Sequence, residues 1–180
     1  MCGIIGYIGW RDAVPVLMEG LKRMEYRGYD SSGLAVWDGT EICITKTSGK
    51  IIELDAELKN NEMSGYIGLG HTRWATHGEP NQLNAHPHSD DSGKIVVIHN
   101  GIIENYRTLK TQLTAQGHTF HTDTDTEVLA NLIAELYDPV NSDLESAVRE
   151  ALKKVNGTYG LAVFSRDEPD KLVVARLGSP

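Results

Sequence analysis

The order of the predicted strands and helices restricts the fold of this chain more than any other feature. Apolar or alternating runs predict strands at residues 2–8, 34–37, 42–44, 67–73, 95–99, 158–165 and 171–176. Helical spacing predicts helices after Asp12, over residues 50–60 and 105–116, after Thr124 and after Ser142. Strands and helices come in blocks rather than in strict alternation. We therefore expect an α+β protein with helices packed on antiparallel sheet.

The limits of individual elements carry their own signals. Asp38-Gly39 is typical of a hairpin turn, and Pro169 predicts a turn between the last two strands. Thr124-x-x-Glu127 and Ser142-x-x-Glu145 predict capping boxes at the starts of two helices. Residues 74–93, rich in Gly, Pro, Asn, His and Asp, predict a long loop, and such loops tend to carry function.

Length and charge exclude several classes of protein. A chain of 180 residues suits one domain with a hydrophobic core, and its net charge of −8 without a basic run argues against general nucleic-acid binding. Residue 1 onward shows no basic segment followed by an apolar stretch, so we expect no secretory signal, and no apolar run approaches the roughly 20 residues that span a bilayer. Two cysteines in a chain with a good core indicate a reducing compartment. We expect a soluble cytoplasmic protein.

Cys2 has the chemistry of a nucleophile once Met1 is removed. It would then hold a thiol, with a usual pKa near ~8.5, and an α-amine with a usual pKa near ~7.7–8.0. The amine can take the thiol proton and deliver it to a leaving ammonia. The other interpretation is a small residue that begins a buried strand. Cys43, mid-strand between isoleucines without a polar neighbour, has only that second interpretation.

Charged residues suited to a free amino acid lie at several points of the chain. Arg73 can hold a carboxylate through two parallel hydrogen bonds, with Thr76 and His77 as further donors, or it can form a structural ion pair. Asp125 can pair with a substrate ammonium, or it can merely complement the dipole of the helix that it opens. Arg27, which follows a helix end, is either a surface charge or an active-site brace.

Asn100-Gly101 follows a strongly apolar strand and has two interpretations. It can be a turn, because Asn-Gly is a common turn pair. It can also be an oxyanion hole, in which the Asn100 side-chain amide and the Gly101 backbone N–H stabilise a tetrahedral oxyanion. The residue pattern leaves both open.

His86-x-His88, with His71, His77 and His99 elsewhere, raises the question of a metal site. No HExxH, CxxC or other ligand set completes such a site. We therefore expect histidines that are hydrogen-bonded in a polar loop, and neither a metal nor another cofactor.

Taken together, these segments resemble the class II glutamine amidotransferases, which are N-terminal-nucleophile hydrolases. Five segments carry the resemblance: Cys2-Gly3-Ile4-Ile5-Gly6, residues 25–31 (EYRGYDS), 71–78 (HTRWATHG), 84–88 (NAHPH) and 99–105 (HNGIIEN). Their combination is similar to the glutaminase half of members that aminate fructose 6-phosphate. The resemblance runs from Cys2 to Arg176 and implies a four-layer αββα sandwich of two antiparallel sheets.

The resemblance also implies a role for each candidate residue. Cys2 would attack the side-chain amide of L-glutamine, forming a thioester and releasing ammonia, while Asn100 and Gly101 form the oxyanion hole. Arg73, helped by Thr76 and His77, would bind the α-carboxylate. Asp125, with the Gly101 carbonyl, would bind the α-ammonium. Trp74 would stand at the exit for ammonia and Arg27 would support the site.

The family pattern extends beyond this chain. It includes a C-terminal sugar-isomerase half that binds fructose 6-phosphate, so we expect residues 1–180 to be a glutaminase domain from a longer, homo-oligomeric protein that makes glucosamine 6-phosphate. The alternatives are the glutaminase half of an amidophosphoribosyltransferase or a glutamate synthase, and a non-catalytic glutamine-binding module.

Overall fold

The computed structural model describes residues 2–74, 79 and 81–179. Its strands are β1 (Gly3–Ile8), β2 (Ser31–Trp37), β3 (Ile42–Ser48), β4 (Ile67–Arg73), β5 (His88–Ser89), β6 (Ile95–Ile103), β7 (Gly157–Ser165) and β8 (Glu168–Leu177). Its helices are α1 (Ala13–Met24), α2 (Ile51–Asn60), α3 (Tyr106–Ala115), α4 (Asp125–Leu136) and α5 (Leu144–Lys154), and a 3-10 turn, Glu25–Arg27, follows α1.

The strands form two four-stranded sheets with the orders β1-β4-β2-β3 and β5-β6-β7-β8. Every ladder between these strands is antiparallel. Helices α1 and α2 pack on the outer face of the first sheet, and α3, α4 and α5 form the layer outside the second. The predicted α+β class and the αββα sandwich of two antiparallel sheets are confirmed.

Alternation along the central strands separates the layers. On β4, Ile67 and Leu69 face the second sheet and pack with Val96 and Ile98 of β6. The intervening glycines of β4 face α1, and a Cβ on Gly70 would lie 3.1 Å from Leu21, so a small residue there lets the helix pack closely. The apolar core between the sheets is therefore built from alternate residues of each strand.

The same inward rows become polar at one end of the sandwich. On β4, the inward positions that follow Leu69 are His71 and Arg73. On β6, the inward position that follows Ile98 is Asn100. Cys2 directly precedes β1, which pairs with β4 at this end through Gly3 and Thr72. The sheets thus bring the candidate residues together at a single end of the molecule.

Several predicted limits were wrong. Strand β6 continues through Asn100 and Gly101, so the turn interpretation of this pair is wrong. Pro169 lies within β8 rather than in a turn, which is possible because β8 is an edge strand where a missing N–H is tolerated. The predicted loop 74–93 contains the short strand β5. Strand β1 was predicted to be buried, but it is only partly buried because it too is an edge strand.

One of the two predicted capping boxes is half formed. The Thr124 hydroxyl accepts a hydrogen bond from the N–H of Glu127 at the start of α4. The Glu127 carboxylate, however, accepts from the N–H groups of His121 and Thr122, and the Thr124 N–H donates to the Thr122 hydroxyl. For α5, however, the cap is Asp143, whose carboxylate accepts from the N–H of Ser146. Ser142 instead hydrogen-bonds to Asp138 in the preceding turn. In the described part of the chain, no helix is long and apolar enough to cross a membrane.

Candidate active site

A cavity of about 380 Å³ opens at the polar end of the sandwich. Residues from both sheets, from the start of α4 and from the last residues of the chain line it. They are Cys2, Arg27, Arg73, Trp74, His86, His99, Asn100, Gly101, Ile102, Thr124, Asp125, Thr126, Thr158, Gly178 and Ser179. Seven of the nine predicted site residues are among them, and the other two, Thr76 and His77, lie outside the described residues.

The Cys2 sulfur lies against the end of β4. The backbone N–H of Trp74 donates to Sγ at 3.1 Å, and the Trp74 carbonyl oxygen lies 3.5 Å from Sγ as an acceptor for the thiol proton. Burial raises the pKa of the Cys2 thiol, and the hydrogen bond from Trp74 opposes that shift. The thiol is therefore mainly protonated at neutral pH and needs a base.

Asn100 directs its side-chain amide at Cys2. The Asn100 Nδ2 group donates to the Cys2 carbonyl oxygen at 3.1 Å. An NH₂ group carries two hydrogens, so the second can be directed at another acceptor in the cavity. Gly101 follows with φ 139°, and a Cβ there would lie 2.0 Å from the Thr158 carbonyl oxygen. Only glycine fits this position.

Two arginines line the cavity. Arg73 is 3% exposed, and its Nη1 donates to the Glu79 carbonyl oxygen at 3.2 Å. Burial lowers the pKa of the guanidinium, and the charges of Asp30, Cys2 and Asp125 oppose this. Arg27, in the 3-10 turn, has a buried Nε that forms no hydrogen bond with the described residues.

Asp125 is the first residue of α4 and is 7% exposed. One carboxylate oxygen, Oδ2, accepts from the N–H of Ile103 at 2.8 Å. The capping interpretation therefore applies to Thr124, and Asp125 additionally joins the start of α4 to β6 at the cavity wall. An anion held here beside a cavity suits a cationic group of a ligand.

Trp74 lies at the cavity rim. Its side chain is 50% exposed, and its ring makes an edge-to-face contact with Tyr29 at 5.5 Å between centroids. A half-exposed indole at the mouth of a cavity can contact whatever covers or leaves it.

Four histidines are buried, which the sequence interpretation missed. His71, His86, His88 and His99 are each at most 7% exposed. His71 and His99 lie on strands that were predicted, whereas His88 lies on β5 inside the predicted loop. Burial is the main cause that lowers the pKa of each, and that of His71 falls to about 4. For His71 the signal was period-two spacing, because it lies two residues before Arg73 on an inward row.

Among the described residues, these buried histidines do not form a group of three metal-ligating atoms that lie close together. Within the described residues, the metal-ligating atoms that lie close together belong to Asp38, Glu41 and Cys43 at the β2–β3 hairpin. Cys43 donates to Asp38 Oδ2 at 3.6 Å, so the prediction that it has no polar neighbour was wrong. The predicted lack of a metal and of a cofactor stays a prediction.

Solved structures with the same fold include amidotransferases. The chain aligns with the glutamine phosphoribosylpyrophosphate amidotransferase of B. subtilis, complexed with ADP and GMP, with a TM-score of 0.80 and 28% identity. This alignment covers 98% of the chain and 37% of that protein. A structure of the allosteric regulatory enzyme of purine biosynthesis gives a TM-score of 0.81 at 27% identity. The fold is thus that of the N-terminal-nucleophile amidotransferases, as predicted.

Sequence comparisons give a more specific set of relatives than the fold comparison does. The family model for the glutamine amidotransferase domain matches residues 71–177, and the chain belongs to that family. Over all 180 residues it is 55% identical to the glutamine–fructose-6-phosphate aminotransferase [isomerizing] of Pyrococcus horikoshii and 52% identical to that of Symbiobacterium thermophilum. The chain spans 30% and 29% of the lengths of these relatives.

Proposed function

We propose that this domain hydrolyses the side-chain amide of L-glutamine through a thioester on Cys2. The observation that carries the proposal is the content of one cavity. A thiol, an amide donor, a guanidinium and a carboxylate line the same space of about 380 Å³. Glutamine presents the complementary groups: a reacting amide, an α-carboxylate and an α-ammonium.

The first step joins Cys2 to the substrate. After removal of Met1, the α-amine of Cys2 takes the thiol proton as the sulfur attacks the amide carbon. The amide carbonyl becomes an oxyanion, which accepts from the second Asn100 N–H and from the Gly101 N–H. The carbon–nitrogen bond of the substrate amide then breaks. The protonated α-amine of Cys2 gives its proton to the leaving nitrogen, and ammonia departs.

The second step releases glutamate. Water adds to the thioester with the α-amine as base, a second oxyanion forms in the same donors, and the carbon–sulfur bond breaks. The proton returns to the sulfur and the thiol is regenerated. While Met1 remains attached, the nitrogen of Cys2 is part of an amide and cannot act as this base.

The charged residues select a free amino acid. Arg73 binds the α-carboxylate, with Thr76 and His77 as additional donors, and Asp125 and the Gly101 carbonyl bind the α-ammonium. Trp74 borders the exit for ammonia and Arg27 supports the site. Buried ion pairs of this kind discriminate strongly, because an analogue that lacks one charge leaves its partner unpaired.

In the longer protein we propose that the released ammonia aminates fructose 6-phosphate on a C-terminal isomerase half. Identities of 55% and 52% to aminotransferases with that substrate in their name support this choice. The phosphoribosylpyrophosphate amidotransferase, which is similar in fold at 28% identity, supports a second candidate. The encoded sequence beyond Pro180 discriminates between them: sugar-isomerase repeats favour the first and a phosphoribosyltransferase motif favours the second.

A glutaminase assay tests the domain itself. Intact mass first establishes that Met1 is absent, and glutamate and ammonia are then measured after addition of glutamine. We expect equal amounts of both products from the processed chain, and neither from Cys2→Ala or from a chain that retains Met1. Tight glutamine binding by the processed wild type without ammonia release would instead indicate a non-catalytic module.

A further inference from the structure

The Asn100 amide is held from both sides. Its Nδ2 donates to the Cys2 carbonyl oxygen at 3.1 Å, and its Oδ1 lies 2.8 Å from Nε2 of His71. Because Nδ2 donates toward Cys2, Oδ1 is the acceptor on the other side and His71 must carry its proton on Nε2. Burial lowers the pKa of His71 to about 4, so the ring is neutral at physiological pH and has one N–H.

The contact at Nε2 decides the tautomer of His71. Within the described residues Nδ1 is buried and forms no hydrogen bond of good geometry, although the His99 backbone lies near the ring and opposes the fall in its pKa. The Asn100 oxygen, placed because Nδ2 donates to Cys2, accepts the proton of His71 Nε2. An Asn100 amide turned by half a rotation would set its NH₂ group against that donor.

Neighbouring groups fix the His71 ring. The ring is fully buried and stacks on His86 at 4.3 Å between centroids. His86 Nε2 lies 2.8 Å from the Thr126 hydroxyl, which lies 3.1 Å from His99 Nδ1. Gly33 pairs with His71 across the sheet, and a Cβ on it would lie 2.4 Å from the His86 carbonyl oxygen, so this close arrangement needs glycine.

We propose that His71 is a positioning residue that locks the side-chain amide of Asn100 with its NH₂ group toward Cys2. The inference rests on the proposed glutaminase function. Asn oxygen and nitrogen have nearly the same size, so packing alone does not choose between the two amide orientations. A turned amide would present lone pairs to the oxyanion and would oppose the reaction. His71 acts through Asn100 and touches neither the substrate nor the reacting atoms.

A double-mutant cycle on the processed chain tests this role. The variants are His71→Leu, His71→Gln, Asn100→Ala and the double variant His71→Leu/Asn100→Ala. Loss of an oxyanion donor lowers kcat about 10²–10³-fold, and we expect His71→Leu to lower it roughly 10–100-fold with KM within about twofold. His71→Gln, whose amide can donate, should recover part of that loss. In the Asn100→Ala background, His71→Leu should have almost no further effect.

Controls separate positioning from structure and from the proposed function. His88→Leu removes another buried histidine, which contacts His86 and Thr124 rather than Asn100, and should lower thermal stability with kcat of the folded protein nearly unchanged. Alkylation of Cys2 by iodoacetamide should stay at the wild-type rate in His71→Leu. Where His71→Leu does not fold, His71→Ala replaces it in the cycle, and His71→Gln remains the variant that keeps a donor.

Two results would overturn the inference while wild-type turnover is intact. One is a kcat unchanged by substitution of His71. The other is a double variant whose fold loss of kcat equals the product of the losses in His71→Leu and Asn100→Ala. That result would mean that the two residues act independently, because independent effects add in free energy. Lack of turnover by the processed wild type would instead reject the proposed function.

Discussion

The backbone N–H of Trp74 donates a hydrogen bond to the Cys2 sulfur at 3.1 Å. The carbonyl oxygen of the same residue lies 3.5 Å from that sulfur. One peptide residue at the end of β4 thus offers a donor to the thiolate and an acceptor to the thiol. Backbone groups of the residue directly after β4 can thus hydrogen-bond to the sulfur in either protonation state.

The raised pKa of Cys2 gives a prediction on thiol reactivity. In a Cys43→Ser chain that retains Met1, we expect iodoacetamide to alkylate Cys2 slowly near neutral pH. The rate should rise with an apparent pKa above the usual ~8.5 of a thiol, because burial disfavours the thiolate. The pH dependence of alkylation, followed by intact mass, measures this. A midpoint near pH ~6 or below would show instead that a cation has already activated the sulfur.

Asp125 and Glu145 allow the binding and helix-dipole roles of an acidic residue to be separated. Both lie in the first turn of a helix. Asp125→Asn keeps an oxygen for the Ile103 N–H, but it should raise KM for glutamine roughly 30-fold or more because a buried charge pair is lost. Glu145→Gln should leave KM unchanged. Each of the two variants should lower the free energy of unfolding by less than about 1 kcal/mol, which thermal unfolding measures. Equal KM values in wild type and Asp125→Asn would remove Asp125 from the binding site.

Gly101 and Gly117 both have a positive φ, but only Gly101 is crowded. A Cβ on Gly101 would lie 2.0 Å from the Thr158 carbonyl oxygen, whereas none of the described atoms lies within 4 Å at Gly117. Gly117→Ala should therefore lower the free energy of unfolding by about 1–2 kcal/mol, from backbone strain alone. Gly101→Ala should lower it by more than ~3 kcal/mol and abolish turnover. Urea unfolding of both variants checks this, and similar losses would contradict the account of β6 and β7.

His118 joins three segments in a pH-dependent way. Its ring nitrogens lie 3.1 Å from Asp91 Oδ2 and 3.1 Å from Glu135 Oε2. Burial lowers the pKa of His118, but the two carboxylates outweigh it and the pKa is raised. A histidine whose pKa is raised by folding stabilises the folded state. This stabilisation is fully present below the pKa of the unfolded chain, about 6.5, and is lost as the pH rises through the pKa of the folded protein.

The His118→Gln variant measures that contribution. It should be less stable than wild type by roughly 0.5–1 kcal/mol at about pH 5.5, and by much less at about pH 8.5, since the groups are partly exposed. His121→Gln, at an exposed histidine that forms no ion pair with the described residues, serves as the control for loss of an imidazole without a carboxylate partner. A destabilisation by His118→Gln that is the same at both pH values would mean that the contacts act by packing rather than by charge.

The sequence predicted the fold class because block order and strand alternation are local patterns that tertiary packing preserves. It failed where packing overrides a local signal. Asn100-Gly101 has the composition of a turn, yet β7 pairs with both residues and keeps them in a strand. Pro169 has the composition of a turn as well, but the outer edge of β8 needs no donor there.

The sequence could predict those parts of the candidate site that depend on the chemistry of one side chain at a time. The pairing of β1 with β4, and the apposition of β4 and β6, then brought Cys2, Arg73 and Asn100 to one cavity. The contact of His71 with Asn100 joins two sheets across 29 residues, and no spacing rule reports such a contact. Buried polar networks depend on partners that meet only in three dimensions, which is why the sequence did not show that these histidines are buried together.

Mass spectrometry of the acid-quenched processed chain during glutamine turnover tests the central claim most directly. The account predicts an added γ-glutamyl group on the N-terminal Cys2 peptide, formed together with a burst of ammonia that precedes glutamate, and no adduct in Cys2→Ala. Full turnover by Cys2→Ala, or an adduct that maps to a residue other than Cys2, would contradict it.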